Sequence, residues 1–231
     1  MTPTVVGALV TAGVLGVTHA VEPDHVAGIS SLTSRYGDSR LSALVGACFG
    51  LGHVALVVAW LAVGYLVLGH ASFPPVYESV GMLGVAVMLG FLGAAMTVGG
   101  LRSVIYAHDH GGETHAHVHL PFVAHAHDHG VGRYLTIGVV GALFTLSPPA
   151  SMIAFSATLF PRYGPHVVVV AVVVYGTTMI ATMSTLGAGV GAVFGAAEPR
   201  PRLYGATRAV AGVAVAGVAA SVALTTLPAI L

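Results

Sequence analysis

The sequence contains no lysine, one tryptophan, one cysteine and only 7% charged residues across 231 positions. Each scarcity excludes something. A soluble domain of this length carries roughly a quarter charged residues, so this composition cannot clothe an ordinary water-facing surface. Cys48, standing alone, rules out an internal disulfide, a cysteine-based zinc or iron–sulfur site and a paired-thiol electron carrier. A formal net charge of zero offers no basic surface for nucleic acid. There is no P-loop to bind ATP. The opening stretch, "MTPTVVGALV", lacks the basic region of a cleavable signal peptide, so the first apolar run is expected to be retained.

What is present is apolar. Hydrophobic residues make up 56% of the chain, and the mean hydropathy is +0.91. About 20 apolar residues cross a hydrocarbon core, and six runs qualify: residues 4–33, 41–69, 79–106, 134–160, 165–195 and 203–230. The expected fold is therefore all-α, a polytopic protein in the lipid bilayer. "SRYGDSR", "ASFPPVYES", "PRYGP" and "EPRPR" punctuate the runs.

Arginine placement predicts the orientation. Arg35 and Arg40 follow span 1, Arg102 and Arg133 flank the loop after span 3, and Arg200, Arg202 and Arg208 surround the loop after span 5; Arg162 alone falls on the other side. The positive-inside rule then puts both termini outside and the loop after span 3 in the cytoplasm.

A faint internal repeat accompanies this pattern. "LTSRYG" after span 1 matches "LFPRYG" after span 4, Gly16 precedes Pro23 as Gly141 precedes Pro148, and "FGLGH" in span 2 sits opposite "YGTTM" in span 5. Two halves of three spans must insert in opposite directions, the inverted-repeat plan of many secondary transporters. Chance similarity between glycine-rich helices is the competing explanation. The expected organisation is a first three-helix repeat over 1–106, a histidine-rich loop over 107–133 and a second repeat over 134–231, with helices 1 and 4 kinked.

Against this background "GVTHAVEPDHVAGIS", residues 16–30, is anomalous. An ionisable group at a helix centre costs about 2.5–3.5 kcal/mol on insertion scales, so several in one span need partners. Pro23 cannot donate to the carbonyl of His19, and it biases Glu22 away from helical geometry. A kinked or unwound segment is predicted there. In an unbroken helix His19, Asp24 and His25 would spread around the axis; a break lets them converge and frees a backbone carbonyl as a further ligand. Span 2 adds His53 beside Gly50 and Gly52, small residues that permit close helix approach. Measured from the cytoplasmic span ends, His25 and His19 lie roughly 14–22 Å deep and His53 roughly 18 Å deep, at 1.5 Å per residue. One level suits all three.

Imidazole and carboxylate ligands without thiolate fit borderline divalent ions such as nickel, cobalt or zinc. In this reading His19, Asp24, His25 and His53 hold the ion. Glu22 ligates, orients a histidine or accepts a proton. The alternative is a hydrogen-bond network that merely ties helices together. "HAVEPDH" and "GLGHVALV" resemble the two signatures of the nickel/cobalt transporter (NiCoT) family, H-x-x-x-x-D-H and a Leu-Gly-His followed by a small and β-branched run. The resemblance covers the first two spans. Importers of that family carry acidic, threonine-bearing motifs in later helices, whereas "FTLSPPASM" and "YGTTMIATMSTLG" contain no carboxylate. The chain is thus more similar to the shorter nickel/cobalt efflux and urease-associated membrane protein branch. Pro148 and Pro149 are expected to break span 4 as Pro23 breaks span 1. Thr145, Ser147, Ser151, Thr177, Thr178 and Thr182 can line a path with hydroxyls, or each can bond back to its own helix.

The loop after span 3 holds eight of the thirteen histidines: His108, His110, His115, His117, His119, His125, His127 and His129. Alternating H-x-H spacing offers many ligands and enforces no geometry. It reads as a cytoplasmic metal-gathering segment, or else as a solvated linker. His70 and His166 lie at external span ends.

The resulting expectation is a transporter, not an enzyme, in the plasma membrane of a prokaryote, with nickel or cobalt as transported substrate and no organic cofactor. A metallochaperone or another cytoplasmic metal acceptor or donor is the expected protein partner. The competing expectation is an intramembrane zinc hydrolase or an acyltransferase, because two histidines and an aspartate can hold a metal-bound water and His19 with Asp24 has an H-x-x-x-x-D spacing.

Overall fold

A computed structural model describes residues 4–34, 38–67, 74–105, 136, 139, 143 and 150–229. Among these every regular element is helical. In chain order they are α1 (Val5–Ala20), α2 (Pro23–Thr33), α3 (Ser39–Ala62, continued by a π-helical turn Val63–Val67), α4 (Pro75–Ile105), α5 (Ala150–Ala197) and α6 (Pro201–Thr226), which ends in a 3₁₀ turn, Leu227–Ala229. Four helices are long and apolar enough to cross a membrane, and five if the bent pair α1 and α2 counts as one span. The protein is a membrane protein. Its outer faces agree, with Leu66 85% and Val87 74% exposed, positions that suit lipid and not water.

The helix ends follow from local chemistry. Thr4 caps α1 by accepting a hydrogen bond from the Gly7 amide, and Asp38 caps α3 by accepting one from the Leu41 amide at 2.8 Å. α4 carries Glu78 in its first turn and Arg102 in its last, as the helix dipole favours.

Two breaks shape the fold. Pro23 does not sit inside a kinked helix; it occupies the first turn of α2, where its missing amide hydrogen is harmless. α1 and α2 meet at 57°. The carbonyl of His19, expected from the sequence to be left free, accepts the Glu22 amide at 3.2 Å. The second break lies within α5, whose 48 residues would make a straight rod of about 72 Å, more than twice a hydrocarbon core. Gly164, with φ 74° and ψ 179°, interrupts it immediately before Pro165. That backbone region is essentially reserved for glycine, so "PRYGP" is a turn by construction. Pro148 and Pro149, the expected break of span 4, lie outside the described residues.

Small residues set the packing. α3 presents Ser42, Gly46 and Gly50 to the later arm of α5, which answers with Met183, Gly187 and Gly191. A Cβ on Gly46 would press on the Met183 carbonyl, and one on Gly187 on the Ser42 carbonyl. The order of these contacts makes the two helices antiparallel, and the same holds for α4 and α6 through Gly93 against Gly212 and Gly100 against Gly205. Lipid tails are as apolar as leucine, so helices associate by close backbone approach more than by burial of greasy side chains. α1 joins α5 through a stripe of Ala8, Ala12, Gly16 and Ala20, with Gly16 against the Tyr175 carbonyl.

Candidate metal centre

The break at Pro23 turns the last residues of α1 and the first residues of α2 toward the middle of α3. His19 comes from the end of α1, His25 from the first turn of α2 and His53 from α3. His25 and His53 are each only 2% exposed. The Nε2 atoms of His19 and His53 are 3.2 Å apart, and His25 Nε2 lies 3.3 Å from His53 Nδ1. The three ring centroids are 4.7–5.2 Å from one another. The expected convergence of the three imidazoles is what the described geometry contains.

Taken pair by pair these separations suit metal ligation, although His53 turns Nε2 to His19 and Nδ1 to His25; one ligand atom from each of the three rings lies within 4.8 Å of the others. Two nitrogens held at about 2.0–2.1 Å from one ion lie about 2.9 Å apart at a right angle and about 3.3 Å apart at the tetrahedral angle. They also suit hydrogen bonds between neutral rings, with His53 bridging its two neighbours. The remaining nitrogens of His19 and His25 face carboxylates. His19 Nδ1 is 2.9 Å from Glu22 Oε1 but lacks hydrogen-bond geometry, and His25 Nδ1, 3.3 Å from Asp24 Oδ1, has no hydrogen-bond partner among the described residues. The buried hydroxyl of Tyr175 has none either. Both Nδ1 atoms nevertheless stand at ion-pair distance from a carboxylate, so the Tyr175 hydroxyl is the one of the three with neither a hydrogen bond nor an ion-pair partner among the described residues.

The acids border the histidine trio, Glu22 against His19 and Asp24 against His25. His19, His25 and His53 form one group whose potential ligand atoms all lie within 4.8 Å, and Glu22, Asp24 and His25 form another. Asp24 thus groups with Glu22 and with His25, the histidine common to both sets. Glu22 is half-exposed, and Asp24 is nearly buried. Both acids, with Pro23, line an open groove of about 630 Å³ together with Met82 of α4 and Gly217 and Ser221 of α6.

Two aromatic residues absent from the sequence-derived site abut the imidazoles. Tyr175 of α5 lies 6.1 Å from His19 and Phe49 of α3 lies 6.4 Å from His25, centroid to centroid. Both are fully buried. A signal for them existed: they open the matched stretches "YGTTM" and "FGLGH".

The hydroxyls behave locally. Thr177 donates to the Val173 carbonyl and Thr182 to the Thr178 carbonyl. Thr178 donates within α5 and also reaches across to the Gly13 carbonyl of α1 at 3.2 Å. Ser151 is exposed near the start of α5. Thr145 and Ser147 lie outside the described residues, as do all eight histidines of the loop, His108, His110, His115, His117, His119, His125, His127 and His129.

Comparison of the chain with protein-family models, with curated proteins and with solved structures finds no match. Function is therefore read from the site.

Proposed function

We propose that the protein carries a divalent transition-metal ion, nickel or cobalt, across the membrane, and that His19, His25 and His53 bind the ion after it sheds water. One observation carries this reading: three imidazoles from separate helices meet inside an apolar protein, two of them with a carboxylate beside the other ring nitrogen. An intramembrane ionisable cluster is expensive, and ion pathways are where such clusters occur. Imidazole ligands without thiolate suit nickel, cobalt and zinc, and the resemblance of "HAVEPDH" and "GLGHVALV" to the nickel/cobalt transporter signatures favours the first two.

In this proposal six spans form two inverted halves, with the termini outside a prokaryotic plasma membrane and the histidine-rich loop inside, gathering metal for exchange with a cytoplasmic carrier. A pairwise relationship supports the two halves. When "FGLGH" is matched to "YGTTM", Gly50 corresponds to Gly176 and Val54 to Ile180. Gly50 packs on Ile180, and Gly176 packs on Val54. A pseudo-twofold axis through the antiparallel α3–α5 contact would give that exchange. Rocking of such halves about a shared midplane site would expose the ion to each side in turn.

The test is the nickel and cobalt content of cells with and without the protein. Import raises it, export lowers it, and no change in either metal contradicts the proposal. An intramembrane hydrolase using the same histidines would also leave metal content unchanged.

A further inference from the structure

Tyr175 is held beside the imidazole trio from two sides. Its carbonyl packs against Gly16, one turn before His19 on α1, and Thr178, one turn further along α5, donates to the Gly13 carbonyl at 3.2 Å. On the other side Gly176 packs on Val54, the residue after His53. These contacts set the Tyr175 ring 6.1 Å from that of His19, with no exposure to solvent. The charge of Glu22, whose carboxylate stands 2.9 Å from His19 Nδ1, reaches the tyrosine through space. Yet the hydroxyl has no hydrogen-bond partner among the described residues. A buried phenol ordinarily finds one.

Phe49 shows what packing alone requires. It holds the matching place in "FGLGH", is equally buried, and lies 6.4 Å from His25. A ring without oxygen fills that place, so the Tyr175 oxygen is surplus to packing. Left unpaired, it destabilises the metal-free protein.

We propose that Tyr175 is a positioning residue for the transported ion: its hydroxyl accepts a hydrogen bond from a water molecule that stays on the ion when the imidazoles bind it. The inference rests on the metal-transport reading and adds to that site a residue from α5. Three imidazoles leave a fourth tetrahedral position, which a water fills. Ligands bind metal in their deprotonated form, and a phenol keeps its proton at neutral pH. Its oxygen serves instead as acceptor for a water that the ion has polarised. The nitrogens then come from α1, α2 and α3 and the outer contact from α5, so the ion is linked to both proposed halves.

The test uses the purified full-length protein in detergent with cobalt(II) alone. Tyr175→Phe keeps the ring and loses only the oxygen. It is expected to raise the cobalt dissociation constant about 10–100-fold, the range for lost outer partners, with the imidazole count from X-ray absorption unchanged. Metal-free Tyr175→Phe should unfold at the wild-type temperature or above it, because an unpaired buried oxygen is gone. Tyr65→Phe, on the π-turn after α3, should leave cobalt affinity as it was. Equal cobalt affinity in Tyr175→Phe and the wild type overturns the inference. So does a metal-free Tyr175→Phe that unfolds at a lower temperature, which would make the hydroxyl a structural one. A wild type that binds no cobalt contradicts the transport reading itself, and this inference falls with it.

Discussion

His19 and His53 are 34 residues apart in the chain, yet their Nε2 atoms lie 3.2 Å apart. That closeness depends on the α1–α2 break, which ends the first helix one residue after His19 and starts the next at Pro23. If the pair ligates one ion, each ring is a direct ligand. His19→Ala and His53→Ala should each weaken cobalt or nickel binding by more than the about 10–100-fold typical of an outer-shell partner. The double variant should lose little beyond the worse single one. Equilibrium dialysis of solubilised protein measures this; two small, additive losses would mean the rings only bond to each other.

Close packing of α3 on α5 gives a prediction for stability. Gly46→Ala drives a methyl into the Met183 carbonyl, backbone that cannot rotate away. A loss of about 1–3 kcal/mol is expected, as for overpacked cores. Gly189→Ala, on the same α5 with open space around it, should stay within about 0.5 kcal/mol of the wild type. Thermal unfolding in one detergent compares the two.

Much of the site could be read from the chain before folding. "HAVEPDH" announces itself because ionisable groups in an apolar span demand partners, and His53 follows from depth arithmetic. The grouping of Asp24 with Glu22 and His25 apart from His53 could not be read, because it depends on the direction α2 takes after the 57° bend. Glycine in "FGLGH" signalled close approach, but the contact runs through Gly46 and Gly50, four residues apart on one face. Periodicity in a helix apolar on every side carries little information about which face meets a neighbour. Tyr175 beside His19 is likewise a product of tertiary packing, visible in sequence only through a five-residue match.

The turn at Gly164 offers a local test. With φ 74° and ψ 179°, Gly164→Ala should cost about 1–3 kcal/mol of backbone strain. No side chain would clash, since nothing lies within 4 Å of the added Cβ. Thermal unfolding of Gly164→Ala beside the wild type measures the loss. Unchanged stability would show that the turn relaxes to another backbone geometry.

Two tyrosines link distant helices with unequal strength. Tyr204 of α6 donates to the Ser34 carbonyl at the end of α2 over 2.6 Å, while Tyr65, on the π-turn after α3, donates to Ser156 Oγ over 3.4 Å and stacks on Phe160. Tyr204→Phe should cost about 0.5–1.5 kcal/mol, the net worth of a hydrogen bond. Tyr65→Phe should cost less, because the longer bond is weaker and the stacked ring survives. The same unfolding assay ranks them, and the reverse order would contradict the bond lengths as a guide.

The proposal that the histidine-rich segment gathers metal predicts a particular kinetic phenotype. Deleting residues 108–129 should raise the metal concentration for half-maximal transport and leave the maximal rate intact. Metal capture by the segment should fade as pH drops through about 6.5, where imidazole gains the proton that blocks coordination. A deletion that abolishes transport at saturating metal would give the segment a different role.

The central claim is that buried imidazoles hold an ion in transit, and nickel and cobalt flux into sealed proteoliposomes of purified protein tests it most directly. The wild type should move metal, and His25→Ala, reconstituted to the same density, should move none. Equal flux through both, or no flux through the wild type in either direction under any imposed gradient, would contradict the account.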